Sequence, residues 1–137
     1  MPAKDLFHHL VRTALQQEGW KITHDPYTIQ LEFTSLCIDL GAERIIAAMK
    51  DEVKIAVEIK SFTAPSTISE FHTAIGQFIN YRIALEDEDP DRQLYLGVPT
   101  TIYEKFFHYR FVQKVITKNH VPLLVYQTDF PKISWVI

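Results

Sequence analysis

The chain has a single cysteine, so it cannot form an internal disulfide, and a reducing cytoplasm is the expected compartment. Only 4 glycines and 7 prolines occur in 137 residues, too few for a collagen-like or low-complexity chain, and a 47% hydrophobic content excludes disorder. Long apolar runs are missing as well. The longest aliphatic stretch without a charge or proline, Ile45 to Met49, falls far short of the about 20 residues a bilayer requires, so no membrane association is expected. There is no excess of positive charge: 14 Lys and Arg against 17 Asp and Glu give a net charge of −3. That balance argues against a general polyanion-coating protein, although a local basic groove depends on charge placement and not on the sum. The opening residues MPAKDLFHHLVRTALQQEGW show no h-region or small-residue cleavage site and read as a soluble amphipathic helix. The length fits one domain spanning 1–137.

What is present is strong patterning. Phe7, Leu10, Val11, Ala14 and Leu15 form a helical stripe, and Gly19 supplies a stop. His24-Asp25-Pro26-Tyr27 reads as a turn. Strands are expected over Thr28–Phe33, Leu36–Leu40, Arg44–Lys50 and Val53–Phe62, with Lys50-Asp51-Glu52 as a hairpin connection. The last strand alternates cleanly: Val53, Ile55, Val57 and Ile59 on a core face, Lys54, Ala56, Glu58 and Lys60 on the other. Thr67 and Glu70 have the form of a capping box opening a helix to about Glu86, and the acidic run Glu86 to Asp89 is placed largely in a solvated loop. A strand over Gln93–Val98 follows. Thr101 with Glu104 suggests a helix carrying Phe106, Phe107 and Phe111, and short strands close the chain at Leu123–Val125 and Ile133–Val136. This order predicts an α/β fold, a central mixed β-sheet flanked by helices.

Asp39, Glu58 and Lys60 are the candidate chemical constellation. Glu58 and Lys60 leave the same face of one strand about 7 Å apart, and Asp39 lies alongside Glu58 if the intervening strands form a meander. Two carboxylates on neighbouring strands suit Mg²⁺ (or Mn²⁺), which takes oxygen ligands and keeps several waters. Such an ion polarises a phosphate and activates bound water, while the Lys60 ammonium stabilises charge developing at the phosphate. An exposed Glu-x-Lys on a strand is also common as a merely solvated face. Gln77 and Tyr81, at i and i+4 on the following helix, share one side and face either the phosphate or the packing. Glu43 offers a further carboxylate or an ordinary surface acid. Cys37 reads as a small apolar packing residue. The six histidines form no His-x-x-x-His pair or Cys/His cluster that would point to zinc. Phe106, Phe107, Tyr109 and Phe111 read as core or dimer interface in preference to a base-stacking platform.

Asp39, a hairpin, Glu58-Ile59-Lys60 and a following helix together resemble the restriction-endonuclease-like PD-(D/E)XK fold, with Ile38 where that motif has proline. Gln77-x-x-x-Tyr81 is similar to an auxiliary motif of some of its branches. The blocks MPAKDLFHH, THDPYTI, DLGAER with IIAA, VEIKSF, GQFINYR, DRQLYLGVP and SWVI resemble the XisH family over nearly the full length. The resemblance implies a cyanobacterial controlling factor for excision of the fdxN element during heterocyst development, working beside a XisI-like protein partner. Carried across by position, it makes Asp39 and Glu58 metal carboxylates, Lys60 the catalytic lysine, and Gln77 and Tyr81 auxiliary residues.

Three functional expectations follow: an accessory factor in programmed DNA excision, an active Mg²⁺-dependent endonuclease, or a non-catalytic interaction scaffold with a vestigial site. The negative net charge favours a protein partner or a narrow DNA contact drawing on Lys54 and Lys60, with Lys21, Lys50 and Arg82 as weaker contributors. A homodimer would supply the two symmetric sites that a double-strand break needs.

Overall fold

The computed structural model describes residues 6–46 and 51–136. The expected strand end at 47–50, the turn residue Lys50 and the opening residues Met1 to Asp5 lie outside the described residues.

Twelve elements follow one another among the described residues: α1 His8–Gln17, β1 Lys21–His24, β2 Tyr27–Gln30, β3 Ser35–Ile38, β4 Leu40–Ile46, β5 Asp51–Ile59, α2 Thr67–Glu88, β6 Arg92–Pro99, α3 Thr100–Lys105, α4 Arg110–Lys118, β7 Leu123–Tyr126 and β8 Ile133–Val136. Six strands form a mixed sheet in the order β1-β4-β5-β6-β7-β8. The β5-β6-β7 pairs are parallel and the flanking pairs antiparallel. Strand β1 was not expected from the sequence: it is only four residues long, with half-exposed apolar positions. β2 and β3 pair only with each other, as a separate antiparallel hairpin.

One sheet face is covered by α1, whose Val11, Ala14 and Leu15 pack with Leu40, Val57 and Leu124. Gly19 ends that turn with φ 91°, a conformation that glycine adopts without a Cβ clash. The α1 helix is tied to the β1–β2 turn by Asp25, which binds His8 Nε2 at 2.8 Å and receives Arg12. The opposite face is covered by the β2–β3 hairpin, α2, α3 and α4, through Ile38, Phe71, Phe78, Phe107 and Val112. Gly41 lets the hairpin come close: a Cβ there would meet Tyr27 Cδ2 at 3.0 Å and His24 at 3.1 Å.

This double cover corrects the reading of β5. The Lys54-Ala56-Glu58 face is not a solvated one, because the hairpin and α2 bury Ala56 completely and leave Glu58 6% exposed. The α2 cap is also shifted by one residue: Ser66 accepts from the Ser69 N–H at 3.3 Å, and Thr67 is already helical. The helix runs on through Glu88, so most of the acidic run is helical and not looped. Asp89 beyond it bonds to Lys54 and Arg92, which offsets negative charge at a helix C-terminus. The single helix expected after Thr101 is two, broken at residues 106–109. Pro99 stands at the N-cap of the first, which has no side-chain cap.

Candidate functional site

Asp39 belongs to neither sheet. It stands where the chain leaves β3 in the hairpin and enters β4 in the main sheet. Leu40, the first residue of β4, pairs with Val57, so the same register sets Asp39 beside Glu58. The meander needed to bring the two carboxylates together is therefore supplied by β4 and β5 alone, with β3 outside the sheet. The Ile59 N–H lies past the end of β4 and donates to Asp39 Oδ2 at 2.7 Å, and the Asp39 N–H donates to Glu58 Oε1 at 3.3 Å. These bonds fix both carboxylates at the end of a core strand.

Lys60 completes the group, with Nζ 3.5 Å from Glu58 Oε2. Its backbone is held on two sides: its N–H donates to the Gly97 carbonyl at 2.9 Å, and its carbonyl accepts from the Tyr126 hydroxyl at 2.7 Å. Sequence reasoning missed Tyr126. It lies 66 residues from Lys60, and no local pattern marks the pairing. Two residues further on, buried Phe62 adopts φ 56°, an uncommon left-handed backbone for a bulky residue. It turns the chain toward α2 while its ring meets Phe107 edge-on at 5.8 Å.

The environment of Glu58 disfavours its charged form. Burial first, and then the neighbouring Asp39 carboxylate, push Glu58 up to about 8 despite the pull of the Lys60 ammonium. Tyr81 on α2 feels the same charges: burial, Glu58, Asp39 and Cys37 all raise its pKa. Tyr81 therefore lies within electrostatic reach of the carboxylates, and Gln77 Oε1, one turn earlier on α2, is buried with no hydrogen-bond partner among the described residues. Cys37 lies half-buried in the hairpin, 3.8 Å from Thr28 Oγ1.

Two expectations are corrected. Glu43 is not a third carboxylate of the site, because it lies on β4 opposite Lys54 and binds Arg92 at 3.0 Å. Lys54 and Lys60 do not form a basic patch, since Lys54 pairs with Asp89 at 2.6 Å and Lys60 with Glu58. Arg82 donates to the His120 carbonyl at 2.9 Å, away from both.

A divalent cation fits this donor set. Glu58 is buried and Asp39 half-buried beside it; burial first and then Asp39 drive Glu58 toward protonation, which a dication would relieve, and Mg²⁺ needs only one or two protein carboxylates besides water and substrate oxygens. Among the described residues no group of three or more His, Cys, Asp or Glu is placed to hold a metal.

Comparison with known proteins bears on the whole chain. The family model described as XisH protein matches residues 1–134. The chain belongs to the XisH family. Among solved structures, a XisH family protein from Nostoc punctiforme PCC 73102 is 46% identical with a TM-score of 0.87, covering 97% of this chain and 100% of its own. A fdxN element excision controlling factor protein from Anabaena variabilis is 48% identical with the same TM-score, covering 98% of this chain and 100% of its own. No curated protein matches the chain. Among the described residues of this XisH protein, no helix is long and apolar enough to cross a membrane.

Proposed function

We propose that this XisH protein acts in the control of DNA element excision through a metal-assisted phosphodiester site formed by Asp39, Glu58 and Lys60 on a PD-(D/E)XK nuclease-like fold. The observation that carries the proposal is the convergence of two carboxylates and a lysine at the end of one buried strand, with Lys60 Nζ 3.5 Å from Glu58. The excision role is supported by the similarity to the Anabaena variabilis excision controlling factor. In this reading Asp39 and Glu58 hold Mg²⁺ or Mn²⁺, which supplies Lewis acidity to a DNA phosphate when bound. Lys60 places positive charge beside the reacting phosphate, and Gln77 and Tyr81 position the group from α2. The burial of Glu58 favours this over a vestigial surface pair, because burial and the Asp39 carboxylate make its charged form costly to keep in the fold.

Calorimetric titration of Mn²⁺ tests the site directly. The wild type should bind, and Asp39→Asn and Glu58→Gln should each abolish the binding heat. Equal heats in all three proteins would remove the two-carboxylate site. Cleavage is a separate readout on DNA with Mg²⁺: loss of cutting in Lys60→Ala with Mn²⁺ binding retained would assign the lysine to the chemical step.

A further inference from the structure

We propose that the exposed face of α4 is a docking surface for the phosphodiester backbone of DNA. The segment from Lys105 to His120 contains four of the chain's 14 Lys and Arg and no Asp or Glu, leaving ten cations to face 17 carboxylates elsewhere. A chain of net charge −3 thus concentrates positive charge in one place. Within α4 the placement is regular. Val112, Val115 and Ile116 turn toward the core, while Arg110, Lys114 and Lys118 stand exposed at i, i+4 and i+8. Successive cations on that line are separated by a rise of about 6 Å.

These cations are unoccupied by protein. Arg12, Lys54, Lys60 and Arg92 all have carboxylate partners, whereas Lys105, Arg110, Lys114 and Lys118 have none among the described residues. Tyr109 and Phe111 beside them are 56% and 60% exposed, giving the basic row apolar and aromatic neighbours. Strand-binding surfaces combine these features, with cations on the phosphates and rings available to bases. A cleft of about 630 Å³ opens along the same helix past Gln113 and Thr117, and its lining contains no carboxylate that would repel a strand.

Regular spacing and chemistry select the occupant. Recognition of a protein carboxylate favours desolvated, bidentate arginine. Three of these four cations are lysines, and all four are exposed. A row of hydrated point charges suits a polymer with one charge per repeat. The choice of DNA as that polymer rests on the excision reading proposed above.

The test is fluorescence anisotropy of labelled duplex and single-stranded DNA across a salt series, with EDTA present so that the carboxylate site contributes no metal-bridged contact. The wild type should bind with marked salt dependence. The triple variant Arg110→Gln, Lys114→Gln, Lys118→Gln should weaken binding on the order of tenfold or more and lower the slope of log K against log salt by about 3, one for each lost phosphate contact. The control variant Arg44→Gln, Lys132→Gln removes charge from two other exposed positions and should retain most of the affinity, where the matched double variant Lys114→Gln, Lys118→Gln loses several-fold. Circular dichroism melts should show all three variants folded. Equal weakening by the two double variants would overturn the docking surface in favour of long-range charge alone. A wild type that binds neither DNA, or an unaffected α4 variant, would also overturn it. Absent Mn²⁺ binding with intact DNA binding through α4 would sink the metal-site reading and leave this one standing; the converse pattern would do the reverse.

Discussion

Strand β5 carries a buried charge cluster at each end of one face, and the two are tuned in opposite directions. Toward its start, Arg92 is enclosed with its side chain 2% exposed, binding Glu43 and Asp89 at 3.0 Å each and the Ile55 carbonyl at 2.8 Å. Its guanidinium also lies 4.8 Å from the Tyr27 ring, and Lys54 adds a second cation on Asp89. Burial alone would raise both carboxylates, but their hydrogen-bonded partners, Glu52 and Arg92 for Glu43 and Lys54 and Arg92 for Asp89, hold them below the usual range. At the other end, Glu58 lies beside the Asp39 carboxylate with Lys60 at 3.5 Å, and burial first and then Asp39 push it up to about 8. The first cluster is compensated and locks β4, β5, β6 and the end of α2 together. In the second, the Lys60 ammonium does not outweigh burial and the neighbouring carboxylate.

The comparison is broken most severely at Arg92. Arg92→Leu strands Glu43 and leaves Asp89 with Lys54 alone, and breaking a buried ion network of this kind costs about 3–5 kcal/mol. Denaturant unfolding should show that loss, and a change under about 1 kcal/mol would remove the locking role.

Glu58→Gln should act the other way. A carboxyl raised in the fold from 4.5 to about 8 favours folding while protonated. That contribution is complete below the unfolded value near 4.5 and is lost as pH rises through about 8. Above that pH the Gln variant should exceed the wild type by a few kcal/mol, and the gap should close toward acid pH. A wild-type advantage under alkaline conditions would mean that Glu58 is well compensated.

A third expectation concerns Mn²⁺. At a hundred times its Kd a ligand bound only to the folded state adds about 2.7 kcal/mol, and a chelator should reverse the gain. Because the proton on Glu58 competes with the ion, the shift in melting temperature should grow between neutral pH and about 8. Asp39→Asn should abolish it.

The smallest effect is expected at Lys60. Lys60→Gln removes the cation that lowers the Glu58 pKa, so the midpoint of the wild-type stability profile should move above about 8 with little change near neutrality. An unmoved midpoint would show that the ion pair at 3.5 Å is too loose to matter.

Legibility of the site followed sequence distance. Glu58 and Lys60 were readable because one strand imposes their common face, and Gln77 and Tyr81 because four residues make one helical turn. Asp39 was placed beside Glu58 only conditionally, and the supposed route through a continuous meander was wrong in one respect: β3 leaves the sheet, and Asp39 is the hinge between two sheets. The Tyr126 bond to Lys60 and the Arg92 contacts with Glu43 and Ile55 span 37 to 66 residues and have no local signature. Of the aromatics read as core or dimer interface, Phe107 is buried and Phe106 packs against the core, while Tyr109 and Phe111 stand exposed.

Sequence by itself determined the elements with strong periodicity, α1, β5, α2 and β6, because local backbone geometry sets periods of 3.6 and 2. Family membership was likewise readable from blocks spread along the chain. Tertiary structure alone decided that the second face of β5 is buried as well. Whether Glu58 is a solvated surface acid or a carboxyl raised to about 8 depends on what covers β5. That cover comes from a hairpin and a helix on either side of it in the chain, where periodicity within one strand carries no information.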